Sequence, residues 1–258
     1  MLEQRDFGSL GKKVSVLGLG TVKFGRNKGV KYPGGDGFEL PSLSKVEEIL
    51  DLCLQNGINL LDTAPAYGVS EEVLGKTLRE RREKFFLVSK VGEEFDDSGC
   101  SRYQFDEAYI RSSLERSLMR LKTDFIDCVL VHCNKNDLEI LQNSAAFSVL
   151  DEFKSQGKIL SFGASTYTNL GGKFAIDNSD CAMVTLNSEY KDDLPVVEYA
   201  KSKNKAILVK KGLASGHVAN LGELSSNIKF VTGTAGVTSM IFGSLSPKNI
   251  LSNIAAIA

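Results

Sequence analysis

The sequence predicts an α/β fold of the (β/α)8, or TIM-barrel, class, and three observations carry the prediction. Eight short apolar runs recur along the chain, nearly all separated by segments with helical periodicity. Polar residues collect after these runs and not before them, as they do at the carboxyl-terminal face of such barrels. The length of 258 residues, 42% of them hydrophobic, suits one barrel of roughly 250 residues better than two ordinary domains. Residues 1–258 are therefore expected to form a single domain. An open doubly wound sheet is the alternative, but eight strands without a nucleotide-binding glycine fingerprint argue against it.

The elements follow in order. Residues 5–16 hold two short strand-like pieces around Gly8-Ser9-Leu10-Gly11, a β-hairpin ahead of the repeating part. The run Val14 to Gly20 enters Thr21. Its Gly18-Leu19-Gly20 resembles half of a dinucleotide fingerprint, but Lys23 stands where the third glycine belongs and no helical pattern follows at once. Residues 26–41 are rich in Gly and Pro and read as an irregular lid or pocket wall. Ser44-Lys45-Val46-Glu47 reads as a capping box, and Val46, Ile49, Leu50, Cys53 and Leu54 then share one helical face.

The second barrel strand, residues 58–61, stops at Asp62 before the turn Thr63-Ala64-Pro65-Ala66-Tyr67-Gly68. Ser70 opens a helix with Val73, Leu74 and Leu78 inward, and the mixed-sign run at residues 79–84 reads as its solvated end. The strand beginning at Phe85 runs into Ser89-Lys90, and a polar loop follows. Asp106 caps a helix carrying Tyr109, Ile110, Leu114, Leu118 and Leu121, and residues 125–131 deliver His132. A helix over 144–156 stops at Gly157. Strands at 159–165, 182–186, 206–209 and 239–242 complete the set, with a helix at 195–203 and another opened by Ser246-Pro247. The chain ends soon after that helix, a short carboxyl-terminal end without a long closing loop.

Composition excludes several classes. Thirty-one basic residues against thirty-two acidic ones, net −1, offer no surface for nucleic acid or an anionic membrane. Five cysteines without a CxxC pair point to a reducing compartment, and no stretch is long and apolar enough to span a bilayer, so a soluble cytoplasmic protein is expected. Cys128 and Cys133 flank His132, but their spacing is wrong for a metal site and His217 is the only other histidine, so no metal is expected.

Asp62, Tyr67, Lys90 and His132 thus stand at or just past three successive strand ends. A carbonyl that accepts hydride needs a proton on its oxygen. A tyrosine, ordinarily titrating near pH 10, is a poor acid until a cation such as Lys90 stabilises the phenolate. Asp62 would hold that lysine charged and oriented, and His132 would position the substrate oxygen. Taken singly, each residue also has a structural reading, as a turn-forming Asp, a half-buried ring, a solvated lysine or a core-edge histidine.

Together with L-D-T-A-x-x-Y-G, a strand ending S-K and a strand ending V-H, the four resemble the catalytic tetrad of the aldo-keto reductases. The resemblance runs over nearly the whole chain, through Y-I-R-x-S-L-E-x-S-L-x-R-L-x-x-D-F-I-D, G-K-I-x-x-F-G-A-S and G-V-T-S-x-I-F-G-S-x-S-P-x-N-I. It implies reduction of aldehydes and ketones by NADP(H), with NAD possible and a small carbonyl compound as the partner. Gly243, Ser244 and Ser246, before a helix opened by Pro247, suit a phosphate, and an ordinary Ser cap explains them equally. By resemblance Thr21, Ser165 and Thr166 join the cofactor contacts, Ser165 at the nicotinamide amide and Asn253 near the adenine. Departures are visible. Thr166 replaces the usual Asn, Thr185 stands where an amide-binding Gln is common, and Asn249 with Lys248 stands where many members carry an Arg for the 2′-phosphate. Lys210 and Lys211 follow the seventh barrel strand as phosphate contacts or as solvated lysines. Cys133 takes the place of a frequent Trp, so an open or small pocket is expected, walled by residues 23–41 and 93–105. Two other readings remain: a Schiff-base aldolase using Lys90 or Lys210, and a non-catalytic cofactor-binding sensor.

Overall fold

Eight parallel strands close into a barrel: β3 (Leu17–Gly20), β4 (Leu60–Asp62), β5 (Phe86–Val91), β8 (Ile126–His132), β9 (Ile159–Ser165), β10 (Cys181–Thr185), β11 (Ala206–Lys210) and β12 (Ser239–Phe242). The computed structural model describes residues 2–30, 37–96, 99–213 and 221–257. Each barrel strand pairs with the next one in the chain, and β12 returns to β3 with Met240 opposite Leu17, which closes the sheet. The parallel (β/α)8 prediction holds, and the strand bounds shift by at most two residues in most cases.

The hairpin is present as β1 (Gln4–Asp6) and β2 (Lys13–Ser15), antiparallel with Gln4 opposite Ser15. Its Phe7 and Val14 join Leu60, Phe86, Val88, Leu130, Met183 and Leu208 in the barrel interior, and the Phe7 and Phe86 ring centroids lie 4.5 Å apart. The amino-terminal end is therefore plugged by side chains, and the carboxyl-terminal end is where a ligand can enter. A second apolar layer, including Ile49, Leu74, Leu114, Leu150, Ile176, Val197 and Ile250, lies between the strands and the surrounding helices. Those helices are α2 (Leu43–Gln55), α3 (Ser70–Thr77), α4 (Glu107–Leu121), α6 (Ala146–Ser155), α7 (Asn169–Asn178), α8 (Leu194–Ser202), α9 (Leu221–Gly233) and α10 (Pro247–Ala255).

Four local expectations need correction. A one-turn helix, α1 (Val22–Gly25), does follow β3 at once, too short to show a period. Ser42, not Ser44, caps α2, accepting from the Lys45 amide at 3.2 Å, because the helix starts at Leu43 and places Ser44 inside its first turn. The polar segment after β5 is not a plain loop but a hairpin, β6 (Glu93–Phe95) with β7 (Ser101–Tyr103). A further short helix, α5 (Asp137–Asn143), follows β8. Of the two expected pocket walls, residues 31–36 and 97–98 lie outside the described residues, as does His217.

The fourth correction concerns one member of the run at residues 79–84, a 3₁₀ helix that follows α3 and is exposed at Arg79, Glu80, Glu83 and Lys84 as expected of a solvated end. Arg82 is buried, donating to Asp127 Oδ2 at 2.8 Å and to the Phe85 carbonyl at 3.0 Å. Asp127 also accepts from the Leu87 amide at 3.0 Å and from Lys12 at 3.2 Å. Charge alternation in sequence cannot show which member turns inward; a buried carboxylate on the neighbouring strand decides it. Removing one partner of a buried pair strands the other charge in a poor solvent. Asp127→Ala should therefore cost about 3–5 kcal/mol of stability in urea unfolding, and a loss within ~0.5 kcal/mol would refute the structural weight given to this pair.

Candidate active site

Asp62 is the last residue of β4 and only 4% exposed. Lys90, next to last in β5 and 1% exposed, donates to Asp62 Oδ1 at 2.6 Å and to the Thr63 carbonyl at 2.9 Å. Register explains the meeting: Asp62 pairs with Val88, so Lys90 lies two residues further along the same face of the neighbouring strand. Tyr67 closes the 3₁₀ turn Pro65–Tyr67 and donates its hydroxyl to Asp62 Oδ2 at 3.4 Å. The Lys90 ammonium stands 4.7 Å from the Tyr67 ring centroid, and the His132 ring meets that ring edge-on, centroids 6.4 Å apart. The four residues singled out in the sequence are thus brought to one place.

The turn that carries Tyr67 is held from below. Gly68 has φ of +61°, and a Cβ on it would sit 2.2 Å from the Gly25 carbonyl oxygen, while one on Gly25 would sit 2.0 Å from the Ser70 amide. The segment after β3 can pack on the Tyr67 turn only because both residues are glycine. Ser70 then links two threonines, its hydroxyl 2.8 Å from Thr21 Oγ1 and 3.0 Å from Thr63 Oγ1. Thr21 is fully buried, and its hydroxyl and amide both bond the Asp62 carbonyl. Through these two bonds it braces the Asp62 strand end.

Sequence reading missed Glu93. In β6 the residue is 9% exposed, its Oε1 accepts from Ser101 Oγ at 2.6 Å, and its Oε2 lies 2.7 Å from His132 Nδ1. Burial opposes its ionisation, but the His132 ring together with Ser101 and Tyr103 outweighs burial and holds the carboxyl at about 2. His132 itself is pushed down from its ordinary value by burial and by Lys90 and Lys210, with Glu93 opposing. The signal was faint: a glutamate three residues past Lys90 in a segment that looked like loop.

Around the barrel the exits of β9, β10, β11 and β12 form a second arc. Ser165 ends β9 and Lys210 ends β11. The lysine donates to Ser165 Oγ at 2.9 Å and to the Thr166 carbonyl at 2.8 Å, with its ammonium 4.2 Å from the Tyr167 ring centroid. Ser165 and Thr166 are both 1% exposed. Asp137 of α5 anchors that loop, accepting from the Tyr167 and Thr168 amides at 2.6 and 2.7 Å. Burial, with Lys211 adding to it, pushes Lys210 down to about 7. At β12, Ser244 is buried, its hydroxyl accepting from the Ser246 amide at 3.1 Å. Ser246 caps α10. Gly243, Lys248 and Asn249 are exposed, whereas Asn253 is 4% exposed on the inner face of α10.

The aldo/keto reductase family model matches residues 16–229. The chain belongs to this family. The crystal structure of PA4992 from Pseudomonas aeruginosa, assigned as an aldo-keto reductase, is 44% identical and covers 98% of this chain and 94% of its own, with a TM-score of 0.89. The uncharacterized oxidoreductase YqkF of Bacillus subtilis is 32% identical over 64% of this chain and 49% of its own length. The aldo-keto reductase YhdN of the same organism is 33% identical over 65% of this chain and 48% of its own. The chain thus spans about half the length of the curated relatives it matches. Among the described residues no helix is long and apolar enough to cross a membrane.

The position of Lys210 in this family member has a measurable consequence. With the amine titrating near 7, Lys210 should be methylated by formaldehyde and borohydride at pH 7–8 well ahead of the solvated lysines, whose amines are mostly protonated there. A ¹³C-methyl titration midpoint for Lys210 near 10 would contradict the assignment.

Proposed function

We propose that the protein is an NAD(P)H-dependent reductase of aldehydes and ketones in which Tyr67 is the general acid. The observation that carries the reading is the buried Lys90 ammonium, 2.6 Å from Asp62 and 4.7 Å from the Tyr67 ring. As the Tyr67 proton moves to the substrate oxygen, negative charge grows on the phenol. Lys90, itself 1% exposed, stabilises that charge from a poorly solvated position. Asp62 keeps the ammonium oriented, and His132 bonds the substrate oxygen beside Tyr67. The family membership supports oxidoreductase chemistry on carbonyls.

The arc from β9 to β12 fits a dinucleotide by its donor set. It holds the hydroxyls of Ser165 and Ser246, the cations of Lys210 and Lys248, and the amino-terminal end of the nine-residue helix α10 after Gly243 and Ser244. In this reading Ser165 and Thr166 hold the nicotinamide amide, Lys210 and Ser244 face phosphate, and Asn253 lies by the adenine. The chemistry supplied there by a bound nicotinamide is hydride donation. Lys248 with Asn249 favours NADP through a point charge, with less discrimination against NAD than an arginine fork would give. A reducing compartment belongs to the same proposal, since all five cysteines are free.

A second reading rests on Lys210, whose amine titrates near 7 and so suits imine formation with a carbonyl substrate. Borohydride trapping of a substrate adduct on Lys210, without turnover of reduced cofactor, would favour it.

Titration with NADPH and NADH, followed by cofactor oxidation on a panel of small aldehydes, tests the main proposal. Tyr67→Phe should lower kcat by about 10²–10⁴-fold and leave cofactor affinity within twofold. Undiminished turnover in that variant would remove Tyr67 from the reaction, and cofactor binding without any carbonyl turnover would make the protein a sensor.

A further inference from the structure

Arg26 stands just past α1 and outside the four roles above, yet its guanidinium joins three separate segments of the barrel mouth. Nε donates to the Lys28 carbonyl at 2.9 Å and Nη2 to the Gly29 carbonyl at 2.8 Å, which curls the chain after α1 around the side chain. Nη1 donates to the Ala66 carbonyl at 3.2 Å, in the turn that carries Tyr67. The guanidinium carbon lies 3.4 Å from the ring centroid of Phe95, the last residue of β6. Gly92, with φ of +102°, turns the chain at the end of β5, and β6 packs back on the Tyr67 turn. Gly29, with φ of +60°, fits closely over this joint: a Cβ there would stand 3.1 Å from both Arg26 Nη2 and Phe95 Cζ.

The Ala66 carbonyl belongs to the peptide bond that leads into Tyr67. At the other end of that bond the Tyr67 amide donates to the Ala64 carbonyl at 3.0 Å. The peptide plane is thereby held at both ends, at one of them by Arg26, and the direction in which the Tyr67 side chain leaves the backbone follows from that plane. Gly25, the residue before Arg26, packs on Gly68, and its carbonyl accepts from the Val69 amide at 3.2 Å. Gly25 and Arg26 thus grip the turn on both sides of Tyr67, at residues 66, 68 and 69. A guanidinium suits this place because its donors form a fixed planar fork while its face stacks on an aromatic ring; an ammonium has neither the fork nor the flat face.

We propose that Arg26 is a positioning residue for the general acid: its guanidinium pins the Ala66–Tyr67 peptide, the loop after α1 and the β6–β7 hairpin into one rigid unit, and so keeps the Tyr67 hydroxyl on the substrate oxygen. The proposal rests on the carbonyl-reductase reading and deepens it. In that reading Lys90 makes Tyr67 acidic, and Arg26 governs where the proton is delivered. The bond from the Tyr67 hydroxyl to Asp62, at 3.4 Å, is too long to hold the ring by itself. Misplacing a reacting group by about 1 Å costs on the order of 10²-fold in rate. The loss falls on kcat, because the cofactor contacts proposed for the arc from β9 to β12 do not involve the segments that Arg26 joins.

Arg26→Ala should lower kcat for aldehyde reduction by about 10²-fold with little change in NADPH affinity. Guanidinium chloride at a non-denaturing concentration should restore kcat in that variant saturably, methylammonium chloride should not, and Arg26→Lys should stay close to Arg26→Ala. Hydrogen exchange of the full chain, read by mass spectrometry, needs no turnover. Residues 26–30, 64–69 and 93–95 should exchange faster together in Arg26→Ala, while β8 and β9 keep their protection. An unchanged kcat, a loss confined to the KM for the aldehyde, full activity in Arg26→Lys, or faster exchange at 26–30 alone overturns the proposal. Should Arg26→Ala fail to fold, the exchange of Arg26→Lys decides: protection equal to that of the unaltered protein in all three segments overturns the proposal, and joint loosening supports it. Absence of carbonyl turnover in the unaltered protein would count against the reductase reading, and the exchange pattern would then decide the pinning of the three segments by itself.

Discussion

The buried ammonium of Lys90 is the constraint from which the geometry of the mouth follows. A lysine 1% exposed must be compensated where it sits, and the compensation is a carboxylate at 2.6 Å with a carbonyl at 2.9 Å. Both partners come from the end of β4 and the residue after it. Strand register and electrostatics therefore agree on one arrangement, and a slip of one residue in β4 or β5 would turn a charge toward the apolar layer. A pair of this kind contributes little net stability over an apolar substitute. What it secures is position, a cation held against the face of Tyr67 and shielded from water, where its field is strongest.

Rigidity beneath the pair comes from small groups. Thr21, Thr63 and Ser70 share hydroxyl contacts under Asp62, and Gly25 and Gly68 let two turns touch. All of these residues lie in the stretches G-L-G-T-V-K-F-G and D-T-A-P-A-Y-G-V-S. Short motifs of this kind encode the seat of a catalytic residue as much as the residue itself.

This explains what could and could not be read from the chain. Strand exits were legible because a buried parallel strand is a continuous apolar run, and its first polar residue marks the mouth; Asp62, Lys90 and His132 were found that way. Helices α4 and α10 were legible from period and caps, and α2 from its period alone. Arg82 was misjudged because its burial depends on Asp127, 45 positions away and on another element. Glu93 was missed because β6 and β7 are three residues each, too short to carry an alternation, and because its partner is fixed by a Gly92 turn that composition does not specify.

The mouth holds two lysines with opposite fates, and the difference bears on what binds there. Lys90 has a carboxylate against it. Lys210, on the opposite arc, donates to the neutral oxygens of Ser165 and Thr166 and lies over the face of Tyr167; Asp193 and Cys133 favour its charge, but burial and the neighbouring Lys211 outweigh them. A cation so placed is poorly stabilised by the protein alone, which is why its amine titrates near neutrality. An anionic ligand would complete it: bringing a phosphate beside Lys210 favours the protonated amine, so binding takes up a proton whenever the free site is above about pH 7. If the dinucleotide proposed for this arc places a phosphate there, its affinity would fall as pH rises, independently of anything that happens at Tyr67.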